Sequence, residues 1–285
     1  MLDETFAEYQ TSVRRYYGNT IFSGSSVIGQ VGIPAEALRD LQLNMAVALR
    51  TSYEESLLRG VRIGARFAGV PGLNIPPERI TERALSWIAG EGANRIAAIQ
   101  TAVSGDLSTI IADSVRQNLS PGQAATRIGD MAGLTPRQAR ALDRFEDALR
   151  RRRIPEGFEP TERVENSIRR DVERRRRRMM RERGELILET EVQTAVQQGE
   201  REFWQEAIDT EQVEAGAVYK RWQTVNDGQV CPICEPLHGV VMPFDDVFVS
   251  NGGVVGVRPP AHPRCRCWLE VDATGENFGA DDVRR

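Results

Sequence analysis

A single lysine, Lys220, stands among 37 basic residues, so every other cation of the 285-residue chain is an arginine. Histidine occurs twice, cysteine four times, and aromatic residues make up 6%. Long apolar runs are also missing: no stretch approaches the roughly 18 residues that a transmembrane helix needs, so an integral membrane protein is not expected. The opening Met1-Leu2-Asp3-Glu4 is charged where a secretory signal would be apolar, and the scarce cysteines are therefore not expected to meet an oxidising compartment. Hydrophobic residues at 40% and charged residues at 27% are an ordinary soluble composition, long enough for one large domain or two smaller ones.

The net charge of −4 hides an uneven distribution. Residues 150–183 hold fourteen arginines against seven acids, making that segment +7 and the remainder −11. Arginine binds carboxylate and phosphate through a two-pronged fork that lysine lacks. An arginine bias spread over the whole chain, however, is explained more simply by the coding preference of its source. The sharpest feature of the segment is the run Arg174, Arg175, Arg176, Arg177 and Arg178. Five consecutive residues wrap more than one helical turn, so they cannot all share a face or all be neutralised by acids at i,i+4. Some must meet water or a polyanion, which makes the run a candidate contact for DNA or an acidic partner.

Along the chain, residues 1–32 form a weak helix through Phe6, Val13, Tyr16 and Tyr17, followed by a Gly/Ser-rich break at 23–26, as in an arm that orders against a partner. Residues 34–66 carry Leu38, Leu41, Met45, Leu49 and Leu57 at helical spacing, which predicts one long helix. Pro71, Pro76 and Pro77 break it. Ile80, Ala84, Leu85 and Ile88 mark a helix ending at Gly90, and another begins near Ala93 with Leu107, Ile110, Ile111 and Val115 on its apolar face. Ser120-Pro121 and Thr135-Pro136 each put a hydroxyl at the N-cap and proline at the first helical position, with Gln123 and Gln138 three residues after the cap. These two helices read as a hairpin within a bundle. A DNA-reading helix-turn-helix is not favoured, because the second helix has no notably basic N-terminus. A loop over 154–160 leads into a helix from Thr161 through Val164, Ile168, Val172 and the arginine run, continuing with Leu188, Val192, Ala195 and Phe203 facing inward. Short strands are predicted near 218–222, 240–242, 254–257 and 267–271, with Asn226-Asp227-Gly228 a turn. The acidic tail after Asp272 is expected to be disordered. The fold class is α+β: a mainly helical domain at 33–153, an arginine-rich connector at 154–215, a small stapled domain at 216–272 and a tail at 273–285.

All four cysteines and both histidines lie between Trp222 and Val271. Cys231 and Cys234, separated by Pro-Ile, form a knuckle whose two thiolates can bind one face of a tetrahedral ion. His262, Cys265 and Cys267 offer the rest, five candidates for four positions. Residues two apart on a strand point the same way, so Cys265 and Cys267 can bind with His262 outside. Alternatively Pro263 turns the chain so that His262 and Cys265 bind while Cys267 packs inward. A thiolate-rich site suits zinc in a closed, structural role, and a sheet this small needs such a staple. Two disulfides, or reduced cysteines packed as small hydrophobes, are the competing readings. His238, in Leu-His-Gly, reads as a turn residue rather than a ligand or general base. Asp227 is placed to accept hydrogen bonds from the knuckle backbone.

The run from Trp222 to Asp227, then Val230-Cys231-Pro-Ile-Cys234, Leu237-His-Gly239, Pro259-Pro260 and His262-Pro-Arg-Cys265-Arg-Cys267, resembles the C-terminal domain of the phage head morphogenesis family, the Mu F-like minor capsid proteins. Leu186-Ile-Leu-Glu-Thr190-Glu191 resembles the segment preceding that domain, so the resemblance spans about residues 185–272. It implies a minor head protein of a tailed phage that associates with the portal protein or the capsid and scaffold interior. Such a protein assists head assembly, DNA packaging or ejection, is found in the virion and, during assembly, in the host cytoplasm, and has no membrane partner or small-molecule substrate. No nucleophile–base pair is evident, and an enzyme is not expected. The rival enzyme would be a metal-dependent nuclease, with His238 or His262 activating water and Asp227 assisting. It would have too few hard oxygen ligands for the magnesium that phosphoryl chemistry usually uses. A DNA-binding ejection protein acting through the arginine run is a third reading, compatible with the first.

Overall fold

The computed structural model describes residues 2–21, 35–116, 121–225 and 227–283. The Gly/Ser break at 23–26, the N-cap expected at Ser120 and Asn226 of the expected turn lie outside these residues. The fold is α+β. Two compact units are present, and neither is continuous in sequence: the first combines Met1–Ala48 with Asn94–Glu185, the second Leu49–Ala93 with Leu186–Arg285. No helix among the described residues is long and apolar enough to cross a membrane.

In the first unit, α1 (Leu2–Ile21) packs on α5 (Pro121–Met131). The core is made of Phe6, Val13, Leu41, Met45, Leu107, Ile110, Ile128, Leu134, Leu142 and Ile168, all buried. The long helix α2 (Ala35–Phe67) runs as its spacing predicts. Helix α6 (Pro136–Arg153) begins on the expected capping box: the Gln138 N–H donates to Thr135 Oγ1 at 3.2 Å, and the Thr135 N–H donates to Gln138 Oε1 at 3.0 Å. Helix α7 (Glu162–Asp209) is 48 residues long. Its start is tied to the end of α6 by Arg150 on Glu165 at 2.7 Å and Arg153 on Asp171 at 2.5 Å, which closes the intervening loop.

The arginine run divides when folded. Arg174, Arg175, Arg177 and Arg178 are exposed, whereas Arg176 is only 3% exposed and donates to the Asp130 carboxylate at 3.0 Å while pairing with Glu173. Arg176, one of the five candidate contacts, is therefore an internal strut of the first unit. The physical reason is helical geometry: one position in five turns toward the neighbouring helices, where a guanidinium is tolerated only with carboxylate partners.

In the second unit, α3 (Pro77–Trp87) does not end at Gly90 as expected. A π-turn over Ile88–Gly92 carries it without a break into α4 (Ala93–Arg116). Gly92 is buried there against Tyr53 and Trp87, and Leu85, expected on the apolar face, is 49% exposed. Strands β1 (Tyr219–Gln223), β2 (Val241–Pro243) and β5 (Trp268–Asp272) form an antiparallel sheet in the order β2-β1-β5. Strands β3 (Phe248–Ser250) and β4 (Gly253–Gly256) form a separate hairpin. Strand β3 is absent from the sequence-based expectation, although Asn251-Gly252 marks it: both residues have positive φ, 51° and 76°, the pattern of a tight two-residue turn. The tail is also ordered through Val283, against expectation. The buried Asp272 carboxylate accepts from the backbone N–H groups of Thr274 and Asn277, each at 2.7 Å, and from Phe278 at 3.2 Å, which seats the Phe278 ring in the interior. These donors outweigh the burial that opposes ionisation and hold Asp272 down at about 2.

Within this unit α2 and α7 cross at glycines. A Cβ on Gly60 would sit 1.9 Å from the Val196 carbonyl oxygen, and one on Gly199 would sit 2.0 Å from that of Leu57. Backbone meets backbone, so no side chain can move aside. Next to the crossing, Glu200 is 8% exposed, and burial alone raises its carboxyl to about 7.

Gly60→Ala and Gly199→Ala should each destabilise the protein by about 3 kcal/mol or more in urea unfolding. Gly105→Ala, where an added Cβ meets nothing within 4 Å in helix α4, should stabilise it by up to about 1 kcal/mol. Equal effects at all three sites would refute the crossing. A second expectation concerns pH. Because the folded pKa of Glu200 is raised, its contribution is complete below about pH 4.5 and is lost as pH rises through 7. Over that window it should cost up to about 3 kcal/mol, and Glu200→Gln should flatten the corresponding part of the stability curve.

Candidate metal centre

Strand β1 alternates, burying Lys220 and Trp222 and leaving Tyr219, Arg221 and Gln223 partly covered. Trp222 packs edge-on against Phe248, with centroids 5.0 Å apart, and the two rings share a small core with Cys234, Leu237, Cys265 and Cys267. Three of the six buried residues of this core are therefore thiols. So few apolar groups cannot stabilise a sheet with such short strands on their own.

Two turns deliver the ligand-type side chains. In Cys231-Pro232-Ile233-Cys234 the Cys234 N–H donates to the Cys231 carbonyl at 3.0 Å and lies 3.4 Å from Cys231 Sγ. In His262-Pro263-Arg264-Cys265 the Cys265 N–H donates to the His262 carbonyl at 3.1 Å. Arg264 has φ of 61°, so proline followed by positive φ gives the type II pattern. Both turns place proline second and ligand-type residues first and fourth. The hairpin holds the first turn: Ser250 Oγ donates to the Ile233 carbonyl at 2.7 Å, and Asn251 Nδ2 donates to that of Pro232 at 3.0 Å. Helix α7 holds the end of the second segment through Gln193 Nε2, which donates to the Cys267 carbonyl at 2.7 Å.

The five predicted ligands come together. His262 Nε2 lies 2.9 Å from Cys231 Sγ and 3.4 Å from Cys234 Sγ, and Cys234 Sγ lies 3.8 Å from Cys265 Sγ. Their donor atoms form two groups able to hold a metal ion, Cys231/Cys234/His262 and Cys234/Cys265/Cys267, sharing Cys234. An ion about 2.3 Å from each sulfur sets two tetrahedral sulfur ligands about 3.8 Å apart, which the Cys234–Cys265 spacing meets. The His262 Nδ1–H donates to the Pro263 carbonyl at 2.8 Å, which orients the ring and leaves the Nε2 lone pair facing the sulfurs.

Electrostatics points the same way. The Cys267 thiol donates to Cys265 and pulls the Cys265 pKa down to about 5, while the Cys267 pKa is pushed up. Burial, together with the Cys265 charge, raises Cys234 to about 12. At Cys231 burial opposes ionisation, but the Cys234 backbone N–H and side chain outweigh it and the pKa falls. Ionisation is thus favoured at Cys265 and Cys231 and opposed at Cys234 and Cys267, a conflict that a divalent cation would resolve by stabilising several thiolates together. The cysteines are reduced and not joined in disulfides.

Neither side chain assigned to the rival nuclease beside His262 joins this constellation. His238 is a turn residue as expected, accepting at Nδ1 from the Thr224 N–H at 3.2 Å, and it lies in neither group. Asp227 accepts from the Gln229 N–H at 3.0 Å. Its main partner is one that sequence reasoning does not find: Arg266, between Cys265 and Cys267, donates to both carboxylate oxygens at 2.5 and 3.0 Å and lowers the Asp227 pKa. That pair ties the loop before the first turn to the segment after the second. Gln193 is equally hidden, since no local pattern marks a glutamine some seventy residues away as the support of a cysteine strand. No curated protein and no solved structure matches the chain. The family model described as Phage Mu protein F like protein matches residues 160–270, from just before α7 into β5, and over that stretch the chain is similar to that family.

Proposed function

We propose that this protein is a non-enzymatic minor head protein of a tailed phage, docking on the portal or the capsid interior during head assembly. The match over residues 160–270 carries the reading, because the Mu F-like family is one of phage head morphogenesis. Within that role the sulfur cluster holds one structural zinc ion through Cys231, Cys234, His262 and Cys265, the first and fourth residues of the two proline-containing turns. Cys267 packs inward and donates to Cys265. Thiolate and imidazole donors favour zinc over magnesium or calcium, and four protein ligands leave no position for a reactive water.

The exposure of Arg174, Arg175, Arg177 and Arg178 supports a second role in the same protein, contact with packaged DNA or an acidic face of the portal. Arg176 is excluded from that role by its burial.

Elemental analysis of the purified protein should find about one zinc per chain, lost from Cys231→Ser, Cys234→Ser, His262→Ala and Cys265→Ser and kept by Cys267→Ser. Chelation should lower Tm by about 10 °C or more. An unchanged Tm in metal-free protein would refute the staple, and zinc loss confined to Cys267→Ser would refute the ligand set. For the assembly role, the protein should co-elute with its phage's portal in size-exclusion chromatography. Retention on DNA should weaken steeply with salt and disappear when the four exposed arginines become glutamine. Failure to co-elute under any condition would count against portal docking, and undiminished DNA retention would refute the arginine contact.

A further inference from the structure

The second unit contains a cavity of about 400 Å³ that none of the preceding roles uses. It falls in the size range of sites for small ligands or single side chains. Two of its lining residues come from successive turns of α7, and both are polar groups buried without partners. Glu200 is 8% exposed and has neither hydrogen bond nor ion pair among the described residues, so burial acts on its carboxyl unopposed. Trp204 is 1% exposed, and its indole Nε1–H has no acceptor among the described residues. The unpaired carboxyl costs free energy that a complementary ligand would recover, whereas the indole N–H is closed off from the cavity and meets no ligand atom.

The rest of the lining restricts what that ligand can be. Phe67, Trp268 and Phe278 add aromatic surface, with Phe67 68% and Trp268 41% exposed. Two guanidinium groups already lie on aromatic faces here: Arg221 sits 4.4 Å from the Phe278 centroid and Arg66, outside the lining, 5.6 Å from that of Phe67. Arg221 is neutralised by Glu270 at 2.5 Å. With that pair cancelled, ionised Glu200 leaves the lining at −1. An anion would meet an uncompensated carboxylate, and a purely apolar occupant would leave that carboxylate unmatched. A cation on an apolar stem pairs with the carboxylate and stacks on the rings.

We propose that this cavity is a recognition pocket for a basic side chain, arginine foremost. The guanidinium pairs with Glu200 among the aromatic rings. The pocket is lined by none of the sulfur-cluster residues, so its occupancy does not depend on the metal assignment.

The test is calorimetric titration of the full-length protein, zinc-loaded as purified, with N-acetyl-arginine amide. N-acetyl-citrulline amide serves as the uncharged control of nearly the same shape. Saturable binding of the arginine compound is expected, about tenfold or more weaker for citrulline. Glu200→Gln keeps the shape of the side chain and removes a buried charge, so it should fold and bind at least about tenfold more weakly. Phe67→Ala, at an exposed position, tests the aromatic wall independently of Glu200 and should weaken binding several-fold. Equal affinity for arginine and citrulline compounds, undiminished binding by both variants, or no saturable binding of the arginine compound would overturn the proposal.

Discussion

The close approach of α2 and α7 at Gly60 and Gly199 is the constraint on which the second unit depends. Any larger residue at either position would drive a carbon into a carbonyl oxygen of the opposing backbone. Because the helices meet there without side chains between them, the next turns are brought together as well: Gly64 of α2 faces the ring of Phe203 on α7. Phe203, Trp204 and Ala207 then enter a core with Ala68, Ile80, Val213, Val218 and Phe244. From the same helix Gln193 and Arg201 reach the cysteine strand and Asp245, tying helix to sheet domain by a hydrogen bond and an ion pair. One close helix crossing thus sets the position of the elements that carry the sulfur cluster and the cavity.

The sheet domain solves a different problem. Its core is too small to be stabilised by apolar burial alone, and thiols occupy positions where a larger domain would place leucine or valine. With those sulfurs packed together, ionisation is favoured at Cys265 and opposed at Cys234 and Cys267. The surrounding polar groups point inward for positioning: Asn251 and Ser250 hold the backbone of one turn, and the Pro263 carbonyl holds the tautomer of His262. Lys220, the chain's only lysine, follows the same logic. It is buried beside this core, donates to the carbonyls of Phe244 and Asp246 at 2.6 Å, and is drawn down by desolvation to about 7.

The arginine-rich segment shows how a uniform composition becomes specific on folding. Arg150, Arg153, Arg176 and Arg183 are engaged within the first unit, on Glu165, Asp171, Asp130 and Asp106 respectively, and Arg183 also donates to the Gly133 carbonyl at 3.0 Å. Counting charges along the chain correctly finds the excess but cannot assign it. The residues that remain outward are set by helix phase against neighbours far away in sequence.

What the sequence determined by itself was whatever local chemistry dictates. The spacing of Leu41, Met45, Leu49 and Leu57 marks α2, the Thr135–Gln138 box starts α6, and the confinement of all cysteines and histidines to one segment marks the cluster, because periodicity, caps and ligand spacing act over a few residues. The Asn251-Gly252 turn belongs to this class as well, being a local signal that marks the end of strand β3. Tertiary structure alone decided that Arg176 is internal, that Asp227 answers Arg266, that the tail is held by Asp272, and that Glu200 and Trp204 line a cavity with their polar groups unmet. Each depends on which distant surfaces exclude water around a given atom, and that follows only from how the helices and strands pack.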